Sequence, residues 1–272
     1  MKQLKFGMAV AAVALAASTV PGAAEAQETL ANIESRGKIV VGVKADYKPF
    51  GFIDPSGEIV GMEPDLARDI AERLGVEIEF VPVIASNRME FVQQGRIDLM
   101  IATMTDTEER AAVVGIPDPS YYSSGTNVLA RKSVGLEEWD DLDGLPVCGI
   151  QGAFYNRRTA EEFGAEIVAF TGTSEALNAL QSGRCAAFVY DDALIVSTLA
   201  DTATWGDYEM PLETIDDSPW GMGVLLGDEE MMQFISEVTI DWHRDGTILE
   251  LEEKWGIQPS PFAQAMHEEY GE

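Results

Sequence analysis

The chain has 272 residues, long for one domain and comfortable for two, and its 46% hydrophobic content is enough for real cores. A formal charge of −29 excludes nucleic acid as a partner on electrostatic grounds. After the first segment, no run approaches the roughly 18 apolar residues that a membrane span needs.

That first segment stands apart. Lys2 and Lys5 precede the apolar stretch from Phe6 to Ala17, and small residues follow, ending in Ala24-Glu25-Ala26. This is the pattern of a secretory signal peptide over residues 1–26, with export of a chain starting at Gln27. No cysteine lies near the cut to carry a lipid anchor. Losing Lys2, Lys5 and Glu25 takes the charge to −30, spread over scattered acids such as Glu137-Glu138 and Asp216-Asp217. Such a skin is what solvation in a saline habitat would favour. The two cysteines, Cys148 and Cys185, read either as a disulfide or as two buried thiols.

In chain order, Lys38–Lys44 is a strand, and a turn at Asp54-Pro55-Ser56-Gly57 returns through Glu58–Val60. A helix is expected from Pro64, with Leu66, Ile70 and Leu74 on one stripe and Gly75 as its stop. Val76–Val83 is a strand, Asn87–Gln94 a helix, and Leu99–Thr103 a short buried strand. Thr105-Asp106-Thr107-Glu108 then has capping-box spacing, so a helix start with free N–H groups is expected there, within reach of Arg110. This β-α-β-α-β alternation implies a parallel sheet whose binding residues lie at strand carboxyl ends, here Lys44, Ser86–Arg88 and Thr103–Thr105.

A second unit repeats the grammar. Strands Val128–Arg131, Val147–Ile150, Glu166–Phe170 and Cys185–Tyr190 alternate with helices, and the last strand ends in Asp191-Asp192. Trp220–Leu226 reads as a final strand, followed by a helix from Glu229 and another ending at Trp255. Residues beyond Phe262 read as a flexible tail.

These residues resemble the solute-binding proteins of polar amino-acid ABC transporters, family 3. The likeness runs from about Leu30 to Pro259. It rests on Gly61-Met62-Glu63-Pro64-Asp65, Ile101–Arg110, Pro119-Ser120-Tyr121-Tyr122, Gly183-Arg184 with Asp191-Asp192-Ala193, and Asp245-Gly246-Thr247 with Lys254-Trp255. The resemblance implies a two-lobed α/β periplasmic binding protein (type II). Each lobe has a mainly parallel sheet flanked by helices, and two hinge strands cross near 124–126 and 219–221. The first lobe then comprises residues 27–124 and 221–262, the second 125–220, and the tail 263–272.

It also implies roles. Arg110 and Thr105 hold a ligand α-carboxylate, with the backbone N–H groups of Ala153 and Phe154. Asp191 and Thr103 hold the α-ammonium, Asp192 being less suited because alternate strand residues face opposite ways. At Gly152-Ala153-Phe154, where many relatives carry small hydroxyl residues, Phe154 is expected to narrow the pocket.

Specificity rests on Lys44 and Arg88, two cations that suit a second carboxylate, as in the binders of glutamate and aspartate; glutamine is the alternative ligand. Lys44 could instead snorkel into solvent and Arg88 brace its lobe. Tyr47, Phe50 and Phe52 either wall the pocket or pack the lobe. The strand order of this fold sets the strand of Cys148 beside that of Cys185, which favours the disulfide.

The expected protein is thus a periplasmic monomer without cofactor or metal. It would deliver a small-molecule amino acid to the permease of an ABC transporter. The competing reading is a cyclohexadienyl-dehydratase-like enzyme on the same fold. Against it, no pair of carboxylates is spaced as acid and base, and the two histidines, His243 and His267, lie late in the chain.

Overall fold

The computed structural model describes residues 29–271, and the expected signal peptide, residues 1–26, lies outside them. After helix α1 (Thr29–Arg36), strand β1 (Lys38–Val43) buries Ile39, Val41 and Val43 completely. A small antiparallel sheet follows, formed by β2 (Asp46–Tyr47), β3 (Gly51–Ile53) and β4 (Ile59–Val60), with the Asp54–Gly57 turn between β3 and β4. Helix α2 (Met62–Leu74) buries Met62, Leu66 and Ile70 and ends at Gly75, where φ is 66°. It starts two residues before Pro64. First-turn N–H groups have no intrahelical partner, so proline is tolerated inside that turn.

Strand β5 (Glu77–Pro82), helix α3 (Arg88–Gln93) and strand β6 (Leu99–Met100) complete a parallel sheet of order β5-β1-β6. The short helix α4 (Glu108–Ala111) leads to a long strand, β7 (Tyr122–Arg131).

The second sheet is built from β8 (Pro146–Ile150), β9 (Glu166–Phe170), β10 (Ala187–Asp191) and β11 (Tyr208–Glu209), with helices α5 (Tyr155–Glu161), α6 (Thr173–Gln181), α7 (Asp192–Leu199) and α8 (Thr202–Trp205). Its order is β11-β7-β10-β8-β9. Strands β10, β8 and β9 run parallel, and β7 is antiparallel to β10. Every residue of β10 is buried, as expected of a central strand covered on both faces. Strand β12 (Ile215–Trp220) pairs with the start of β7, Ser218 opposite Ser124 and Trp220 opposite Tyr122. These two strands carry the chain between the sheets.

Two expectations are corrected. The strand expected over Trp220–Leu226 ends at Trp220, and beyond it only Gly223 and Val224 form isolated bridges, to Met100 and Gly115. There Gly221 and Gly223 lie so close to the Ile116 and Met100 side chains that an added Cβ would collide with them. The expected tail is instead ordered.

After α9 (Glu229–Asp245) and α10 (Thr247–Trp255), residues Pro261–Tyr270 form helix α11. Ser260 caps it by accepting from Ala263 N at 3.0 Å, and Pro261 starts it where a missing N–H is harmless. Ala263 is buried, and His267 Nδ1 lies 2.7 Å from the His243 carbonyl of α9. The His243 ring also meets Phe262 edge-on at 6.1 Å and stacks on Tyr270 at 6.0 Å, contacts that hydrophobic periodicity does not reveal.

Cys148 on β8 and Cys185, just ahead of β10, form a disulfide with Cα atoms 5.5 Å apart. The bridge closes a loop spanning 37 residues. Chain-entropy loss in the unfolded state then makes it worth about 3–4 kcal/mol. A reductant should lower the denaturant midpoint by that equivalent. Equal midpoints with and without reductant would count against any structural role for the bridge.

Candidate functional site

The site starts where β6 ends. Residues 101–105 follow it and are all buried. Thr103 sits at φ 48°, a left-handed conformation unusual for a threonine. Its surroundings hold it there. Its N–H donates to Glu63 Oε1 at 2.6 Å, and its carbonyl accepts from Arg88 Nη1 at 3.0 Å. Glu63 also accepts from the Tyr121 hydroxyl. Burial raises the Glu63 carboxyl to about 7, against the pull of those two hydrogen bonds and of the Lys44 and Arg88 charges.

Helix α4 is capped by Thr107, whose hydroxyl accepts from Arg110 N at 3.2 Å, and not by Thr105. The expected capping box does not form: Thr105 is tied into a bridge with Trp220, and the cap moves to Thr107, whose N3 residue is Arg110. That displacement leaves the Thr105 hydroxyl uncommitted to capping. Arg110, 8% exposed, donates from Nη1 to the Thr105 carbonyl at 2.7 Å and from Nη2 to the Gly152 carbonyl at 3.2 Å. The second bond crosses from one lobe to the other. Burial, with the Arg88 charge nearby, lowers the pKa of this guanidinium.

From the opposite side comes Asp191, the last residue of β10 and 5% exposed. The Tyr47 hydroxyl donates to its Oδ2 at 3.1 Å. Burial pushes its carboxyl up to about 7 despite that bond. Asp192 faces elsewhere, accepting from Ser124 Oγ at 2.6 Å and Gly125 N at 3.0 Å on strand β7.

Arg88, Thr103, Thr105, Arg110, Ala153, Phe154 and Asp191 all line one small cavity. Seven of the ten expected residues are thus brought together. The other three are not. Lys44 is fully buried behind the cavity, its Nζ 3.1 Å from Asp46 Oδ1, and it neither reaches solvent nor lines the wall. Tyr47 backs Asp191 from within the core, packed against Phe50 and Trp220. Phe52 lies edge-on to the Trp255 ring at 5.8 Å, outside the cavity. The backbone donors are also fewer than expected, since Ala153 N already donates to the Ile150 carbonyl at 3.0 Å.

Three lining residues were not foreseen: Ala85, Tyr155 and Tyr190. Tyr155 and Tyr190 each adjoin an expected residue in sequence, and their rings meet edge-on at 5.4 Å. Adjacency to Phe154 and Asp191 was the available signal. The loop at Gly152, φ 81°, presses against Ala85 and Ser86, where an added Cβ would lie 2.9 Å from Ser86 Cα.

A larger groove beside the crossing strands contains Asp192 and Asp217 but no lysine or arginine, so it offers no cation to a carboxylate. Among the described residues, no group of three or more His, Cys, Asp or Glu side chains is placed to hold a metal ion. The small cavity sets a buried cation against a buried anion. That arrangement suits a zwitterion.

The profile of the bacterial extracellular solute-binding proteins, family 3, matches residues 39–258. The glutamine-binding protein GlnH of an ABC transporter of Bacillus subtilis is 33% identical over 235 residues, covering 84% of this chain and 85% of that protein. The L-glutamate/L-aspartate-binding protein of Pseudomonas aeruginosa is 26% identical over 266 residues, covering 93% and 87%. Among solved structures, an ancestral amino acid-binding protein, described as a precursor of cyclohexadienyl dehydratase, superposes with a TM-score of 0.74. It is 32% identical and covers 84% of this chain and 99% of its own.

Proposed function

Since the chain belongs to family 3 of the bacterial extracellular solute-binding proteins, we propose that it captures a zwitterionic polar amino acid between its lobes and passes it to an ABC permease, with glutamine the favoured ligand. One observation carries this reading: Arg110 and Asp191, both buried, face a single cavity from opposite lobes. Arg110 and Thr105 take the α-carboxylate, with Phe154 as the remaining backbone donor. Asp191 and Thr103 take the α-ammonium. The lobes divide as residues 27–124 with 221–262, and 125–220. The N-terminal Lys2–Ala26 pattern and the Cys148–Cys185 disulfide support export to the periplasm.

The choice of ligand follows from charge. An acidic side chain needs cations beyond Arg110, and only Arg88 lines the cavity. Arg88 Nη1 is already engaged by the carbonyls of Ala102 and Thr103, and Lys44 is paired with Asp46. A neutral amide, with both donors and an acceptor, suits one partly engaged guanidinium and the hydroxyls of Tyr155 and Tyr190. Glutamate or aspartate is the second reading, favoured by the free Nε of Arg88. A cationic ligand would meet Arg88 unpaired.

Titration calorimetry decides among these. Glutamine is expected to bind at least tenfold more tightly than glutamate or aspartate, and arginine not at all. Tighter binding of glutamate replaces the first reading by the second. Tight binding of arginine without glutamine or glutamate overturns both. An enzyme on this fold could use the raised Asp191 carboxyl as a general acid. A bound ammonium would instead hold that group ionised, so no turnover of a cyclohexadienyl acid is expected.

A further inference from the structure

We propose that Asp46 is a latch that holds the two lobes shut by capping, from the first lobe, the amino end of helix α6 in the second. This inference rests on the cleft reading above but assigns a residue that does not line the cavity. Helix α6 has no cap of its own, because its N-cap residue is Gly172, which has no side chain to offer. Asp46 Oδ2 fills that role, accepting from Thr173 N at 2.7 Å across the cleft. A carboxylate is favoured at the start of a nine-residue helix both as an acceptor and by the helix dipole.

Two neighbours support a built device. Lys44, fully buried, sets its Nζ 3.1 Å from the other carboxylate oxygen and has no hydrogen-bond partner. Its charge faces that oxygen and holds the carboxylate aimed at the helix start. Gly172 has φ −134° and ψ 160°, a conformation open to any residue, so its backbone does not require glycine. An added Cβ there would lie 2.9 Å from Asp46 Oδ2, its only neighbour within 4 Å, and would push that carboxylate off the helix start. The collision exists only when the lobes are shut. Ser197 Oγ, donating to the Lys48 carbonyl at 3.0 Å, ties the same rim.

A latch of this kind acts after the ligand has entered, so it should govern dissociation rather than association. Stopped-flow tryptophan fluorescence with glutamine tests this on the wild type, Asp46→Ala and Gly172→Ala. Association rates should stay within about twofold. Dissociation should quicken about tenfold in Asp46→Ala, the scale of a lost helix cap, and severalfold in Gly172→Ala. Gly172→Ala keeps every charge and hydrogen-bonding group, so it separates a latch from loss of fold. Wild-type dissociation rates in both variants overturn the latch. If the wild type binds no amino acid, the cleft reading has failed, and the latch stands or falls on X-ray scattering of the ligand-free proteins. Both variants should then have a larger radius of gyration than the wild type, and equal radii overturn it.

Discussion

Asp191→Asn should weaken amino-acid binding at least a hundredfold and, at pH 8, raise the melting temperature of the ligand-free protein. Both effects come from one buried carboxylate. In the shut cleft, burial moves Asp191 to about 7 from an ordinary 3.8. The shut, ligand-free state therefore prefers the protonated acid. Its contribution to stability is fully present below about pH 4 and is lost as pH rises through about 7. At pH 8 the ionised group costs up to roughly 4 kcal/mol, an upper figure since the lobes can open and rehydrate it. Asparagine removes that cost and can still accept from the Tyr47 hydroxyl. The gap between variant and wild type should shrink toward pH 5, where Asp191 is protonated. Glu63 follows the same pH trend in both proteins and cancels in the comparison. A ligand ammonium supplies the compensation that the empty cleft lacks, which is why ligand shifts the population toward the shut form. Calorimetric affinity and melting curves at pH 5 and pH 8 check both parts. A variant that binds normally, or melts lower at pH 8, refutes this account of Asp191.

Local chemistry carried much of this structure into the sequence. The Leu66–Ile70–Leu74 stripe and the Gly75 stop marked helix α2 because both are decided within a few residues. The carboxyl-end positions of Arg88, Thr103 and Asp191 followed from strand–helix alternation, which puts such ends at one sheet edge. What failed depended on distant partners. The capping-box spacing pointed to Thr105, and its bridge to Trp220 moves the cap to Thr107. Lys44 read as a specificity cation because nothing near it showed that its lobe would bury it. Asp46, two residues on and so on the same face of an extended chain, was the one local hint of its partner. Tyr155 and Tyr190 were not singled out, because an aromatic gives the same signal in a core and in a pocket wall.

Arg110 is expected to be the residue whose loss is felt most in binding. Arg110→Ala removes two charge-assisted bonds to an α-carboxylate, together worth roughly 4–5 kcal/mol, or more than a thousandfold in affinity. Arg110→Lys is the sharper test, since it keeps the charge. In the structure one guanidinium reaches both the Thr105 carbonyl at 2.7 Å and the Gly152 carbonyl at 3.2 Å. It therefore serves as a planar fork between the lobes as well as a cation. An ammonium cannot occupy both directions and still present a bidentate edge to a carboxylate. Arg110→Lys should accordingly lose most of the affinity, about a hundredfold. Because the Gly152 bond exists only across the shut cleft, the melting temperature of the ligand-free lysine variant should change far less than its affinity. Calorimetry showing the lysine variant within threefold of wild type would mean that charge alone suffices at this position. In that case the geometry of the fork would have no part in recognition.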